Sequence, residues 1–156
     1  MNEFRLSKYD PKNRIDGLYL VSEWTSIHDI GKQFDAGVLS YDQYKKVEQA
    51  YINCCITLFK KTGIKHLYIK SPEYYESRIR FPKILDSESD IRNVIMYCLQ
   101  EKCWAKLEAE GFFIHFGYDY YLYIGTELNI SLVEQVARQY GLFCESFLSP
   151  YAPHFG

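Results

Sequence analysis

A chain of 156 residues, 47% of them hydrophobic, can bury one ordinary core but is too short for two comfortable domains, so we expect a single domain over 1–156. No run approaches the ~18 to 20 apolar residues of a membrane span, and the first ten residues lack the apolar block of a signal peptide. These features exclude a membrane protein and predict a soluble, cytoplasmic one with no membrane partner.

The net charge of −2 is unevenly distributed along the chain. Residues 1–83 carry 14 Lys/Arg against 10 Asp/Glu, whereas residues 84–156 carry 4 against 10. The acidic C-terminal half argues against nucleic acid as a ligand for that half and permits a basic protein partner.

The five cysteines, at positions 54, 55, 98, 103 and 144, form no C-x-x-C pair and fall mostly within apolar stripes of helical spacing. A reducing compartment and a core of this size make covalent cross-links unnecessary. We therefore expect free, buried thiols, with neither disulfides nor a metal site.

The N-terminal segment, residues 1–63, begins with a predicted strand over 2–9 and a turn-rich loop over 10–17. Ser26 followed by Asp29 is typical of a helix start, and Ile27, Ile30 and Phe34 fall on one helical face. This pattern predicts a short helix over 26–34.

A long helix is predicted over 41–61. Ser40 and Gln43 have the spacing of a capping box, and Gly63 suits the position after the last turn. Between them runs an apolar stripe of helical period, formed by Tyr44, Val47, Tyr51, Cys54, Cys55 and Leu58.

The middle of the chain is predicted to contain a strand over 66–70, an irregular stretch over 71–86 and a helix over 88–110. Within the irregular stretch, Arg78–Phe81 could form an added edge strand of the sheet. The helix is indicated by Ser87 with Asp90 at its start and Gly111 after it, and by an apolar stripe of Ile91, Ile95, Leu99, Cys103 and Leu107.

The strongest pattern is a hairpin over 112–125 around Gly117, Tyr118 and Asp119. Because side chains alternate across a strand, one face should be apolar and the other aromatic but able to hydrogen-bond. A helix over 131–140, a strand over 142–148 and a tail over 150–156 complete the chain.

From residue 66 to 148 the predicted order is that of a ferredoxin-like, split βαβ fold, an α+β sheet core over about 64–149. Both of its helices would cover one sheet face. The face left open would hold His66, Tyr68, Lys70, Phe113, His115, Tyr121 and Tyr123. Either the helix over 41–61, with the N-terminal segment, would cover this face, or a ligand would.

The sequence shows no catalytic constellation, so we expect neither an enzyme nor a cofactor. Its histidines, at 28, 66, 115 and 154, have no metal-ligand spacing, and no nucleophile motif or phosphate-binding glycine loop is present. Two alternatives remain. His66 and His115 could form an acid/base pair across the sheet, or the aromatic face could stack RNA bases, although it lacks the RNA-binding motif and carries few cations.

Four segments carry a resemblance that extends over most of the chain: residues 4–11, 23–31, 47–52 and 118–125. Together they resemble a family of small bacterial immunity proteins paired with ribonuclease toxins in contact-dependent growth inhibition and other polymorphic toxin systems. The resemblance implies a cytoplasmic, non-enzymatic protein that binds the C-terminal nuclease domain of a cognate toxin and covers its active site or substrate groove.

A protein that fills a basic nuclease groove needs carboxylates and aromatic anchors. The tyrosines, 15 in number, favour a protein-binding surface, although many could simply pack in the core. Trp24 fits core packing and partner binding equally well. The candidate partner-binding residues are Glu23, Trp24 and Asp29 in the N-terminal segment, Tyr68 on the first sheet strand, and Asp119, Tyr121 and Tyr123 on the hairpin.

Overall fold

Alternating apolar side chains build one large antiparallel sheet, and three helices cover one of its faces. The computed structural model describes residues 1–152. Short 3-10 turns lie at Pro11–Asn13 and Ile27–Asp29. In chain order the remaining elements are β1 (Asn2–Ser7), β2 (Arg14–Ile15), β3 (Leu18–Tyr19), β4 (Gln33–Phe34), β5 (Gly37–Val38), α1 (Tyr41–Thr62), β6 (Leu67–Tyr74), β7 (Ile84–Leu85), α2 (Glu88–Leu99), β8 (Cys103–Ala109), β9 (Phe112–Phe116), β10 (Leu122–Thr126), α3 (Ile130–Gln139) and β11 (Phe143–Ser146).

The main sheet has seven strands in the order β11-β1-β10-β9-β8-β6-β7, and every neighbouring pair is antiparallel. The predicted ferredoxin-like arrangement is therefore not confirmed, although the α+β class is. Three strands absent from the predicted four-stranded sheet account for the difference. Strand β1, predicted over 2–9 but not as part of this sheet, pairs with both β10 and β11. Strand β8 pairs with β6 and β9, and β7 pairs with β6 at the sheet edge.

Strand β8 occupies residues that were predicted to extend the second helix to 110. Helix α2 instead ends at Leu99, and the chain reverses through Glu101, whose φ is 61°. Cys103, Ala105 and Leu107 are buried on one side of β8, with Trp104, Lys106 and Glu108 alternating on the other. Apolar residues that recur every four positions lie on one face of a helix and also on one face of a strand. The apolar residues over 99–107 are therefore compatible with either element.

Helix α1 confirms the prediction over 41–61. Ser40 accepts from the Gln43 backbone N–H, the Gln43 side chain accepts from the Ser40 N–H, and Gly63 closes the helix at φ 75°. Its apolar stripe is buried against the sheet, where each large side chain contributes roughly 1.5 to 3 kcal/mol. The cysteines are free, and four of the five are buried, as predicted.

The helix predicted over 26–34 is wrong. Ser26 caps only the single 3-10 turn at Ile27–Asp29, and Ile30 already has extended ψ. Gly31 then adopts a φ of 92°, and the chain continues into the β4–β5 hairpin. Glycine at this position favours the turn over a continued helix.

The stretch predicted as irregular, 71–86, is partly strand. β6 extends to Tyr74 through a bulge between Lys70 and Glu73, and β7 forms the sheet edge at Ile84–Leu85, whereas Arg78–Phe81 lies outside the strands. Near the C-terminus, α3 begins at Ile130, one residue before the predicted range, with Asn129 as its capping residue.

The second sheet face is not covered by helix α1, as one of the two alternatives considered from the sequence expected. Helix α1 packs on the same side as α2 and α3, in one hydrophobic cluster. Residues 147–152, here called the C-terminal strap, instead cross the second face. Phe147 contacts the Tyr123 ring at 5.6 Å, and Ser149 hydrogen-bonds His115 at 2.7 Å. His154 and the rest of the predicted tail, 153–156, lie outside the described residues.

Candidate functional site

The turn between β9 and β10 is the most distinctive surface feature. The Tyr121 N–H donates to the Tyr118 carbonyl at 3.2 Å, and both central residues have positive φ, 57° at Asp119 and 68° at Tyr120. This is the hairpin geometry that glycine and asparagine usually supply. A bulky residue in the left-handed region costs about 1 to 2 kcal/mol. Strain of this kind persists only when surrounding contacts enforce it.

Tyr120 is held in the strained turn by an aromatic cluster. Its ring is 5% exposed and lies 4.9 Å from Trp24, 4.8 Å from Tyr51 and 6.0 Å from Tyr44. Its hydroxyl donates to the Tyr44 hydroxyl at 3.0 Å. Burial raises the pKa of Tyr120 far above its ordinary value, so the hydroxyl stays protonated. These contacts with Tyr44 and Tyr51 fix the turn to α1.

Three clefts meet at this turn, and we call the turn with these clefts the turn surface. The first cleft, about 110 Å³, includes Cys98 and Glu101; the second, about 210 Å³, includes Glu73 and Trp104; the third, about 260 Å³, includes Tyr19 and Glu23. With Asp119 these clefts present four carboxylates, and within residues 1–152 no Lys, Arg or His lines any of them. The surface suits a cationic partner.

The third cleft joins the N-terminal segment to the turn. The Tyr9 hydroxyl lies 2.6 Å from the Asp119 carbonyl oxygen and 3.2 Å from that of Trp24. The Tyr9 ring packs against Tyr19 at 5.3 Å and Tyr121 at 5.2 Å. One phenol therefore fixes both walls of the cleft.

Lys8 lies behind this cleft, next to the residues that line it. Its side chain is 7% exposed, and its ammonium has an ion pair with Glu23 at 3.5 Å but no hydrogen bond of good geometry. The Tyr9 and Trp24 rings lie 4.2 and 4.3 Å from the nitrogen. Desolvation by burial lowers the pKa of Lys8 to about 8, against the opposing pull of Glu23. Burying a charge costs free energy, and ionisable groups with perturbed pKa values cluster at functional sites.

Replacing Lys8 with methionine should raise the free energy of unfolding at pH 7 by about 1 to 2 kcal/mol, because it removes a poorly solvated charge and keeps the stem. Urea denaturation measures the change. The advantage should shrink from pH 8 toward 10, because the folded pKa of Lys8 lies below its ordinary value of 10.5 and wild-type lysine then loses its charge. A loss of stability at pH 7 would show that the Glu23 ion pair outweighs desolvation.

The structure brings some of the predicted site residues together and separates the rest. Glu23, Asp119 and Tyr121 line the third cleft. Trp24 packs against the core, and Asp29 accepts from the Thr25 N–H at 2.9 Å while pairing with Lys32.

Two further candidates lie on the second sheet face. Tyr123 is 8% exposed beneath the C-terminal strap. Tyr68 is 38% exposed on β6, where its hydroxyl hydrogen-bonds His66 at 3.1 Å. Neither residue lines any of the three clefts around the turn.

Sequence reasoning did not place Tyr9, Tyr19, Glu73, Trp104 and Tyr151 at the site. The alternation of apolar residues over 103–109 could have placed Trp104 on the second sheet face, with Lys106 and Glu108. The remaining residues come from segments distant in sequence and carry no local signal.

His115 is fully buried and does not pair with His66. Its Nδ1 lies 2.7 Å from the Ser149 hydroxyl and its Nε2 lies 3.3 Å from a Glu108 carboxylate oxygen. This order resembles a nucleophile, base and orienting carboxylate, but Ser149 and His115 are both 0% exposed, so a substrate cannot reach them. Among residues 1–152, no group of three or more His, Cys, Asp or Glu side chains could hold a metal ion.

No family model, curated protein or solved structure matches this chain. The resemblance to immunity proteins therefore stays a prediction from the four sequence segments. None of the helices within residues 1–152 is long and apolar enough to cross a membrane.

Proposed function

We propose that this chain is a bacterial immunity protein. It binds the C-terminal domain of a cognate toxin, a ribonuclease, in the cytoplasm and covers its active site or substrate groove. The observation that carries the proposal is the turn surface, where four carboxylates and several tyrosines line three adjoining clefts without a lining cation in the described chain.

The chemistry of the turn surface matches such a partner. A ribonuclease presents a basic groove that accepts phosphates, and an acidic, concave surface attracts that groove and speeds association. Tyrosine adds rigid contact area and a hydroxyl that can be satisfied at an interface. Tyr118 is 85% exposed beside Asp119, at the tip of the turn.

The turn surface is also preorganised. Tyr120 fixes the turn to α1, and the Tyr9 hydroxyl joins it to the N-terminal segment. Because few groups need to be ordered on binding, more of the contact energy remains as affinity. This property suits an inhibitor that acts by tight binding without turnover.

No observation favours the alternative of a nucleic-acid-binding module. Three rings of the predicted face, Phe113, His115 and Tyr123, are 0 to 8% exposed, whereas Tyr68 is 38% exposed. Bases could stack on the three buried rings only after displacing the C-terminal strap.

Growth protection tests the proposal. The C-terminal domain encoded by the gene immediately upstream would be expressed in a laboratory bacterium with and without this chain. We expect growth arrest by that domain alone and rescue by the wild-type chain. Asp119→Lys should weaken binding by about tenfold or more in calorimetry, because it places a cation against a basic groove.

Glu110→Lys is the matched control. It makes the same charge change in the exposed turn between β8 and β9, at the opposite end of β9 from Asp119. It should rescue growth like the wild type. If the wild-type chain fails to protect, or if both variants weaken binding equally, the proposal is wrong.

A further inference from the structure

The second cleft at the turn surface is a box of aromatic rings, which we call the aromatic box. Tyr75, Trp104, Tyr118 and Tyr151 line it together with Glu73, around a volume of about 210 Å³. The Trp104 indole N–H donates to the Phe116 carbonyl at 2.9 Å, and its ring packs edge-on against Tyr151 at 5.3 Å. The inner wall is therefore fixed in place.

The bulge in β6 supplies the carboxylate. Lys70 pairs with Lys106, and Glu73 pairs with Trp104, so β6 uses one residue more than β8 over this interval. Because side chains alternate along a strand, the extra residue reverses which face the following positions occupy. The bulge therefore places Glu73 on the face of Trp104, where a regular strand would have turned it away.

The C-terminal strap supplies another wall. Ser149 binds His115 at 2.7 Å, and its backbone N–H donates to Glu3 at 3.0 Å. The Tyr151 N–H donates to the Ser149 hydroxyl at 3.1 Å, and the Tyr151 carbonyl accepts from Lys106 at 3.4 Å. Tyr151 is therefore held by a chain of contacts that begins at a buried histidine.

The outer part of the box has no occupant within the described chain. The Glu73 carboxylate makes no ion pair or hydrogen bond with any residue of 1–152, and the Tyr75 and Tyr118 side chains make no hydrogen bond or ring contact there. Tyr75 and Tyr118 are 61% and 85% exposed. The Lys106 ammonium, which donates to the Tyr151 carbonyl, lies 3.8 Å from Glu108 and is partly neutralised by it.

We infer that the aromatic box binds a cationic side chain of the protein partner, an arginine. Aromatic faces attract cations, and a planar guanidinium can stack on a ring while two of its N–H groups pair with a carboxylate. The volume fits one side chain, and Glu73 supplies the carboxylate. The inference rests on the proposed function for the identity of the partner, but not for the chemistry of the box.

A small probe tests the box without the toxin. The chain has two tryptophans, so a nitrogen-proton spectrum shows two indole signals. We expect N-acetyl-arginine N-methylamide to shift the Trp104 signal saturably while the signal of Trp24, which packs against the core, stays in place. The neutral isostere N-acetyl-citrulline N-methylamide should shift neither.

Variants identify the groups involved. Glu73→Gln and Tyr118→Ala should each weaken binding of the arginine probe by about fivefold, as expected for one partly exposed ion pair or one cation–ring contact. Glu110→Gln removes a charge at the far end of the sheet and should change nothing. Equal shifts with citrulline, no saturation, or unchanged binding by Glu73→Gln would overturn the inference.

The two proposals can fail separately. Saturable arginine binding without growth protection would leave the aromatic box in place and reject the toxin as the partner. Growth protection without arginine binding would support the toxin as the partner and reject the aromatic box as an arginine site.

Discussion

Tyr120→Ala is expected to lower the free energy of unfolding by about 3 to 5 kcal/mol, the largest stability effect of a single substitution at the turn surface. The ring fills the space between Trp24, Tyr44 and Tyr51, so its removal leaves a cavity. The left-handed backbone strain at Tyr120 also remains, since alanine pays the same penalty as tyrosine. Urea denaturation measures the loss.

Tyr118→Ala is the matched control for this prediction. It removes the same side chain from the same turn, but this ring is exposed, so the change should stay within about 0.5 kcal/mol. Tyr120→Phe should cost about 1 kcal/mol through the lost hydrogen bond to Tyr44. Equal losses in Tyr118→Ala and Tyr120→Ala would show that the aromatic cluster does not support the turn.

Acid should destabilise the fold through His115, which lies beneath the C-terminal strap. Burial lowers the pKa of His115 to about 4, with Lys106 adding to the shift and Glu3 opposing it, and the Nε2 atom faces Glu108. The folded pKa lies below the ordinary value of 6.5, so the unfolded chain binds the proton more readily. The contribution of His115 to the free energy of unfolding is fully present above pH 6.5 and decreases toward pH 4, by up to about 3 kcal/mol.

His115→Gln isolates that contribution. Glutamine can still hydrogen-bond Ser149 but does not titrate, so its unfolding free energy should change less than the wild type's between pH 6.5 and 4. Carboxylates away from position 115 affect both proteins equally and cancel in the difference, whereas Glu108 and Glu3 interact with His115 and belong to its contribution. Parallel pH profiles would contradict a buried, neutral histidine at this position.

The sequence was informative where one period dominates. Helix α1 has an unambiguous stripe and both of its caps, and β-favouring runs flank the turn of the β9–β10 hairpin, so both elements were predicted. The turn itself is centred on Asp119 and Tyr120, not on the predicted Gly117, Tyr118 and Asp119. Residues 88–110 were mistaken for one helix because Leu99, Cys103 and Leu107 continue a four-residue spacing into a strand. Glu101, a non-glycine residue in a left-handed turn, gave no warning of the reversal.

The candidate site shows the same division. Asp119 and Tyr121 belong to the predicted hairpin. Glu23 lines the same cleft because the Tyr9 hydroxyl bonds the carbonyls of both Trp24 and Asp119 and so holds the two segments together. The aromatic box was not predicted, because it depends on a bulge that shifts Glu73 by one position and on a strap that crosses the sheet. Neither feature follows from local propensity.

The position of β1 between β10 and β11 has a consequence for synthesis. Phe4 pairs with Ile124 on one side and Ser146 on the other, so β1 cannot form these pairs until β10 and β11, more than 100 residues later in the chain, have been synthesised. Pairings this distant in sequence form slowly and leave strand edges exposed meanwhile. A nascent chain should therefore gain protease resistance only after β11 has emerged, and truncation before that strand should leave β1 without its outer neighbour.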